Sequence, residues 1–479
     1  MPHRADVSGR RDHPGARGSA IPDQVDGAGA MTGSTTAVAL LASLRVVPAA
    51  VSAPRFPPPD FETGHALPAT LTPPPDGRWI ESLDLVLLAA ALAITTWIVL
   101  KRRSRPAVFA MAACAMAYFG FWREGCICAI GSVQNVALAL FDTGYALPAS
   151  AAVFFALPLV FALFFGRTFC AAVCPHGAIQ DLVAVRPVHV PAWLDRSLGL
   201  LRYLYLAAAV LFAATGSAFI ICRYDPFVGL FRRSGTLEML LLGGAMLVLA
   251  MFVVRPYCRY LCPYGVLLGW LARASKWHPR IDPSHCINCH LCADACPVDA
   301  IEGPAPDRPL EERAADRRRF GQALLMVPVI VALGVGAGLA VAAPMSRVHP
   351  TVQLARRVAA EEAALVSGQT DASRSFRARG APIAELYEQS HAVQRRFRHG
   401  APWFGAFMGL VFGTTALRLA RRHVRSEYDI DRSRCVACAR CFEYCPHDPK
   451  NLALLDEATT GTDFVELTAS AGREPERGT

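Results

Sequence analysis

The chain is 479 residues long, 53% hydrophobic and only 18% charged, with 16 cysteines and a formal net charge of +9. That balance excludes an ordinary soluble protein and points to a membrane protein of roughly two or three domains. The arginines bunch beside apolar segments, where positive-inside topology accounts for them, so nucleic acid is not expected as a partner.

Residues 1–35 are rich in Gly, Arg and Asp without apolar periodicity, and Met31 offers an alternative start, so no structure is expected there. Residues 36–53 are apolar and end Val-Ser-Ala, which fits a signal-peptide cleavage site, although Arg45 interrupts the core and the preceding region lacks basic residues. A cleaved signal and a first span both remain open. Residues 54–75 read as an exported linker, because proline at that density removes backbone donors. Residues 1–80 thus form an N-terminal extension.

Seven apolar segments follow, near 84–100, 106–122, 151–166, 201–221, 238–254, 322–343 and 403–419, each close to the ~20 residues that cross the hydrocarbon core as helix. The first five define a membrane domain over 81–275. Lys101, Arg102, Arg103 and Arg105 pin the end of the first span to the cytoplasm. Counting onward, Cys126, Cys128 and Cys222 fall on the outer side, and Cys114, inside the second span, reads as packing. Cys126 and Cys128 are too closely spaced for the usual cubane wrap. An unusual cluster, a copper site or redox-active thiols compete there with a periplasmic disulfide.

Cys170-Ala-Ala-Val-Cys174-Pro175 and Cys258-Arg-Tyr-Leu-Cys262-Pro263 come just inside the membrane after outward-to-inward spans. Their four thiolates suit a third [4Fe-4S] cluster, with buried packing cysteines as the alternative. Arg167 and Arg255 beside them supply positive charge that would raise its potential.

Residues 276–320 carry Cys286, Cys289, Cys292 and Cys296, followed by Pro297; residues 421–479 repeat the spacing at Cys435, Cys438, Cys441 and Cys445, followed by Pro446. Three cysteines two residues apart wrap one cube, and the fourth serves the other cluster of a pair. Structural zinc also uses paired Cys-x2-Cys spacings but does not explain a duplicated run. Two [4Fe-4S] clusters are therefore expected, with Cys296 and Cys445 exchanged. Between the runs, residues 321–420 form a transmembrane hairpin with an exported loop at 344–401, which returns the chain to the side it left. In that loop 382–397 suits a helix, and His349, Glu361, Glu362 and His391 read mostly as a solvated face.

The expected fold is mainly α: a polytopic membrane helical bundle of about seven spans with a cytoplasmic, split 2[4Fe-4S] ferredoxin-like domain. The expected location is a bacterial inner membrane, multi-pass, with the clusters inside. None of the 13 histidines lies within an expected span, so the sequence offers no bis-histidine haem. The outer thiolates are left as the candidate relay.

Together, the paired Cys-x3-Cys-Pro motifs, the Gly-Cys-Ile-Cys segment, Cys-Arg-Tyr-Asp-Pro-Phe and the split ferredoxin runs resemble the NosR/NirI family of membrane polyferredoxins, over residues 83–449. The likeness extends to His349-Pro350-Thr351-Val352, which looks like the family's segment between its last two spans. It implies a link to nitrous oxide or nitrite reductase systems, in which electrons are passed outward or the periplasmic enzyme's maturation and expression are supported. NosR proper carries a large exported domain with FMN attached covalently to a threonine, whereas only the Pro-rich stretch fills that place here. The resemblance therefore implies a flavin-less homologue that relies on a separate flavoprotein or serves another acceptor.

The expected function is integral-membrane electron transfer from a cytoplasmic or quinol-linked donor toward a periplasmic redox enzyme. A redox sensor, or a copper-handling maturation factor using Cys126, Cys128 and Cys222, is the alternative. The chain shows no Ser-His-Asp arrangement, phosphate loop or His-Glu-x-x-His for hydrolytic or ATP-driven work.

Overall fold

The computed structural model describes residues 46–47, 78–125, 128–185, 188, 190–305, 310–421, 425–448 and 450–452. These residues are mainly helical, and their strand pairing consists of two short ladders and an isolated bridge between Ala305 and Arg425. Four helices are long and apolar enough to cross a membrane: Trp79–Arg102, Ala192–Ala214, Arg313–Ser346 and Ile383–Ala420. They fall on the first, fourth, sixth and seventh expected segments. The third and fifth correspond to the shorter apolar helices Ala149–Phe165 and Leu237–Phe252. The second is the helix Arg105–Ala115, carried on by a π-helical stretch, Met116–Trp122.

The helix Ala129–Phe141 lies outside the seven expected segments because Ser132, Gln134 and Asn135 dilute its apolar character. Its polar face is nonetheless inside. Gln134 is fully buried, with its Oε1 accepting the Ile221 amide at 2.9 Å. Around it Leu88, Leu92, Phe119, Phe154, Phe227 and Phe231 make the centre of the principal core. Cys114 is exposed on its helix rather than packed in that core.

Helices Leu310–Ser346 and Ile383–Ala420 form the hairpin. Gly334 and Gly405 face one another so closely that a side chain on either would collide with the opposing backbone, which is how small residues let membrane helices approach. Only 6% of the apolar window of Arg313–Ser346 is buried. Hydrocarbon suits so large an exposed apolar surface and water does not.

The helix expected at 382–397 and the last expected span are one continuous helix, Ile383–Ala420, which carries Pro402 in its interior. Packing overrides the proline signal: Phe397 and Ala401 are buried beside Leu211 and Phe212, which holds the two halves in line. Between the hairpin arms, the helices Pro350–Glu362 and Asp371–Ala378 are tied by Glu361, which meets Arg357 at 2.9 Å and Arg377 at 2.7 Å and accepts the Ser373 hydroxyl at 2.8 Å. His349 caps the first of these helices, its Nδ1 accepting the Thr351 amide. Glu362 accepts the Tyr387 hydroxyl, and His391 is exposed.

The ferredoxin runs meet across the hairpin. Ile301–Glu302 pairs antiparallel with Asp429–Ile430, so strands on either side of the hairpin close one small unit.

Candidate iron-sulfur sites

The two runs fold alike. Asn288 and His290 in the first have φ of 55° and 64°, and the equivalent Ala437 and Ala439 in the second have 53° and 64°. Left-handed backbone at non-glycine residues is costly and persists where a site over-determines it. Each run then enters a short helix, Leu291–Asp294 or Arg440–Glu443. The loops so formed turn amides inward: Ala437 N–H points at the Cys435 sulfur at 3.4 Å, and Ala300 N–H at the Cys296 sulfur at 3.3 Å.

The cysteines gather in the crossed pattern. One cavity is lined by Cys286, Cys289, Cys292, Cys441 and Cys445; a second is lined by Cys296, Cys435, Cys438 and Cys441, so Cys441 borders both. Burial, then the neighbouring thiols of Cys445, Cys286 and Cys289, pushes the Cys292 thiol up to about 11. Burial, with Cys438 and Cys296 adding to it, pushes Cys435 up to about 12. Cys441 is raised by burial and then by Cys435, Cys438, Cys296 and Cys292. Four thiols so placed resist ionising together, and a positive iron core is what would offset their charge. Among the described residues no three His, Cys, Asp or Glu side chains close in around the position of a single metal ion. A cube spreads its ligands over four irons, whereas zinc draws four ligands to one centre.

The Cys-x3-Cys-Pro motifs form a third group, built twice from the same parts. Each begins in a π-helical turn, Phe169–Val173 or Tyr257–Leu261, and its second cysteine caps a helix led by proline, Pro175–Leu182 or Pro263–Ala272. Proline has no amide to donate and so ends one turn while starting the next. Single π turns recur at functional sites. Cys262 accepts the Gly265 amide at its sulfur. Cys170, Cys174 and Cys262 are buried, and Cys262 has Cys258, Cys174 and Cys170 as neighbours.

The full repeat is Arg-x2-Cys-x3-Cys-Pro-x-Gly, and the two copies interlock. Arg255, from the second, donates to the carbonyl oxygens of Cys170 and Ala171 in the first and is held by Asp181 at 2.8 and 2.6 Å. Arg167, from the first, donates to the Cys170 sulfur at 3.6 Å and runs beside Gly265 of the second. Gln180 accepts the Tyr257 amide and donates to the Cys258 sulfur at 3.5 Å. Asp181 and Gln180 do not figure among the residues expected from the sequence.

Arginines also lock the ferredoxin unit onto this group. Arg167 donates to the Ser433 carbonyl, Arg105 to that of Cys438, Arg259 to Asp299 at 2.7 Å, and Arg103 to Asp448 at 2.8 Å. The motif pair and the ferredoxin unit therefore occupy one face of the bundle.

Of the cysteines expected on the outer side, Cys126 lies outside the described residues. Cys128 and Cys222 line one cavity together with Asp84, Asp225 and Arg123. Asp225 joins this cavity to the third group: it meets His176 Nε2 at 2.8 Å, and His176 is an electrostatic neighbour of Cys174. His176 is fully buried against Tyr257, Phe227 and Phe231. The sequence gives it no apolar span to sit in; its place next to Cys174-Pro175 was the available signal.

A 4Fe-4S binding domain model matches residues 147–200 and 236–282, which contain the motif pair, and another 4Fe-4S binding domain model matches residues 279–302, which contain the first run. The chain is 30% identical over 156 residues to YccM of Escherichia coli, a match covering 29% of this chain and 43% of that protein. It is 34% identical over 154 residues to NirI of Paracoccus denitrificans, covering 29% and 22%. To the regulatory protein NosR of Pseudomonas aeruginosa it is 30% identical over 164 residues, covering 31% and 22%. The chain thus spans less than half the length of each of these relatives. No solved structure matches it.

Proposed function

We propose that this NosR/NirI-type 4Fe-4S protein conducts electrons across a bacterial inner membrane, from a cytoplasmic or quinol-linked donor to a periplasmic redox partner. The observation that carries the reading is the contiguity of three four-cysteine groups. The set of Cys286, Cys289, Cys292 and Cys445 adjoins that of Cys296, Cys435, Cys438 and Cys441, which arginines join to that of Cys170, Cys174, Cys258 and Cys262. Bound [4Fe-4S] clusters supply one-electron storage. The chain supplies position and potential: backbone amides on the sulfurs and the buried Arg167 and Arg255 beside the third set favour the reduced form there. That bias draws electrons from the exposed ferredoxin end toward the membrane. His176, Asp225 and the cavity of Cys128 and Cys222 continue the line outward, where a thiolate-held metal or redox-active thiols, with Cys126 as a further ligand, would receive them.

Proteoliposomes loaded with a low-potential donor test this reading. An impermeant acceptor outside should be reduced, and a Cys128→Ser/Cys222→Ser variant should cycle its inner clusters while the acceptor stays oxidised. A second reading, redox sensing, draws on the likeness to NosR, a regulatory protein. It predicts clusters that respond to oxygen or donor with no charge reaching the acceptor.

A further inference from the structure

A cavity between the motif pair and the ferredoxin unit is ringed by five arginines, Arg167, Arg202, Arg255, Arg259 and Arg434, with Asp195 as its one carboxylate and Cys258 of the third group on its wall. Asp195 is already spent, one oxygen on Arg259 and the other on Arg434 at 2.7 Å. Arg255 is committed to Asp181. Arg167 and Arg202 are left, and each has a buried Nε–H with no hydrogen-bond partner among the described residues. Arg167 is 4% exposed, and its terminal nitrogens already serve the Ser433 carbonyl and the Cys170 sulfur.

Arg202 is the more exceptional of the two. Its guanidinium has a 3.5 Å contact with the neighbouring Tyr203 hydroxyl, and the like charges of Arg167 and Arg434 act on it. Cys170, Cys262 and Cys258 are the leading charges on Arg167, whereas those on Arg202 are Tyr203, Arg167 and Arg434. Arg255, Arg259 and Arg434 are paired with Asp181, Asp195 and Asp299, which leaves buried Arg167 and half-buried Arg202 as the charges in this ring with no carboxylate.

We propose that the cavity binds a phosphate oxyanion, held by Arg202 and the free edge of Arg167. Guanidinium forks match phosphate geometry, and basic pockets between membrane helices take phosphate-bearing lipid headgroups. Arg202 lies in the candidate span Ala192–Ala214, which opens with Trp193, 70% exposed, the kind of residue that sits at headgroup level. A phospholipid headgroup and free phosphate share this chemistry, and the inference does not depend on electrons crossing the membrane.

The test uses the full chain, purified in detergent with its iron. Calorimetric titration with inorganic phosphate at fixed ionic strength should show one saturable site, and native mass spectrometry should be run on the same samples for a retained phospholipid. Arg202→Gln should weaken phosphate binding about tenfold or more, the equivalent of about 1.4 kcal/mol, or release the lipid; Arg356→Gln, exposed in the loop, should do neither. Phosphate binding without retained lipid identifies the free anion, and a lipid lost from Arg202→Gln identifies the headgroup. Should Arg202→Gln fail to fold, Arg202→Lys keeps the charge without the fork and should bind more weakly than wild type. A folded wild type that takes neither ligand, or a folded Arg202 variant that binds as well as wild type, overturns the proposal. Iron content measured on those samples separates that failure from a failure of the cluster reading.

Discussion

Asp181→Asn is the sharpest probe of how the motif pair is held. Asp181 grips Arg255 through both oxygens, at 2.8 and 2.6 Å, and takes a third contact from Arg105 at 3.4 Å. Arg255 is 1% exposed and in turn pins the carbonyls of Cys170 and Ala171. Removing one partner of a buried pair leaves the other charge stranded, at about 3–5 kcal/mol. The amide keeps the volume, so almost none of that is a cavity effect. Thermal unfolding in detergent should begin several degrees lower, and iron should leave the motif pair before the ferredoxin unit, because the loosened carbonyls belong to the first motif. A variant that unfolds with wild-type midpoint and retains all its iron would refute the reasoning.

Crossed ligation predicts that Cys445→Ser abolishes the electron paramagnetic resonance signal of the first-run centre and Cys296→Ser that of the second; loss of both signals from one substitution, or the reverse assignment, would contradict it. Gly405→Leu should separate the hairpin helices by forcing a side chain into the Gly334 backbone, seen as loss of cross-linking between cysteines placed on the two helices. In the loop, Arg357, Arg377 and Ser373 hold Glu361 at about 2, below its ordinary value of 4.5. A depressed carboxylate contributes stability that is complete above the ordinary value and disappears as pH falls toward about 2. Hydrogen exchange over the helices Pro350–Glu362 and Asp371–Ala378 should therefore quicken across that acid window, and Glu361→Gln should flatten the dependence.

The ferredoxin runs were legible because ligation dictates spacing, and spacing survives in a linear chain. Their backbone was not: alanines at 437 and 439 carry no mark of left-handed φ, which the site imposes on them. The third group was legible as cysteines and prolines, but its arginine lock depends on Asp181, 74 positions before Arg255 and brought to it only by folding. The same holds for His176 and Asp225, 49 apart and both buried. Two element assignments from the sequence differ from the structure. Polar residues disguised the helix Ala129–Phe141, whose Gln134 oxygen takes a distant amide, and the helix at 382–397 and the last span read as separate elements although packing of Phe397 and Ala401 carries one helix through both.

The hairpin between the runs has a consequence for manufacture. Cys445 reaches Cys292 only after Leu310–Ser346 and Ile383–Ala420 have been threaded and the tail released from the ribosome. A nascent or truncated chain presents three thiols where four are wanted. Filling the first-run site would therefore require that the second run had already been delivered beside it.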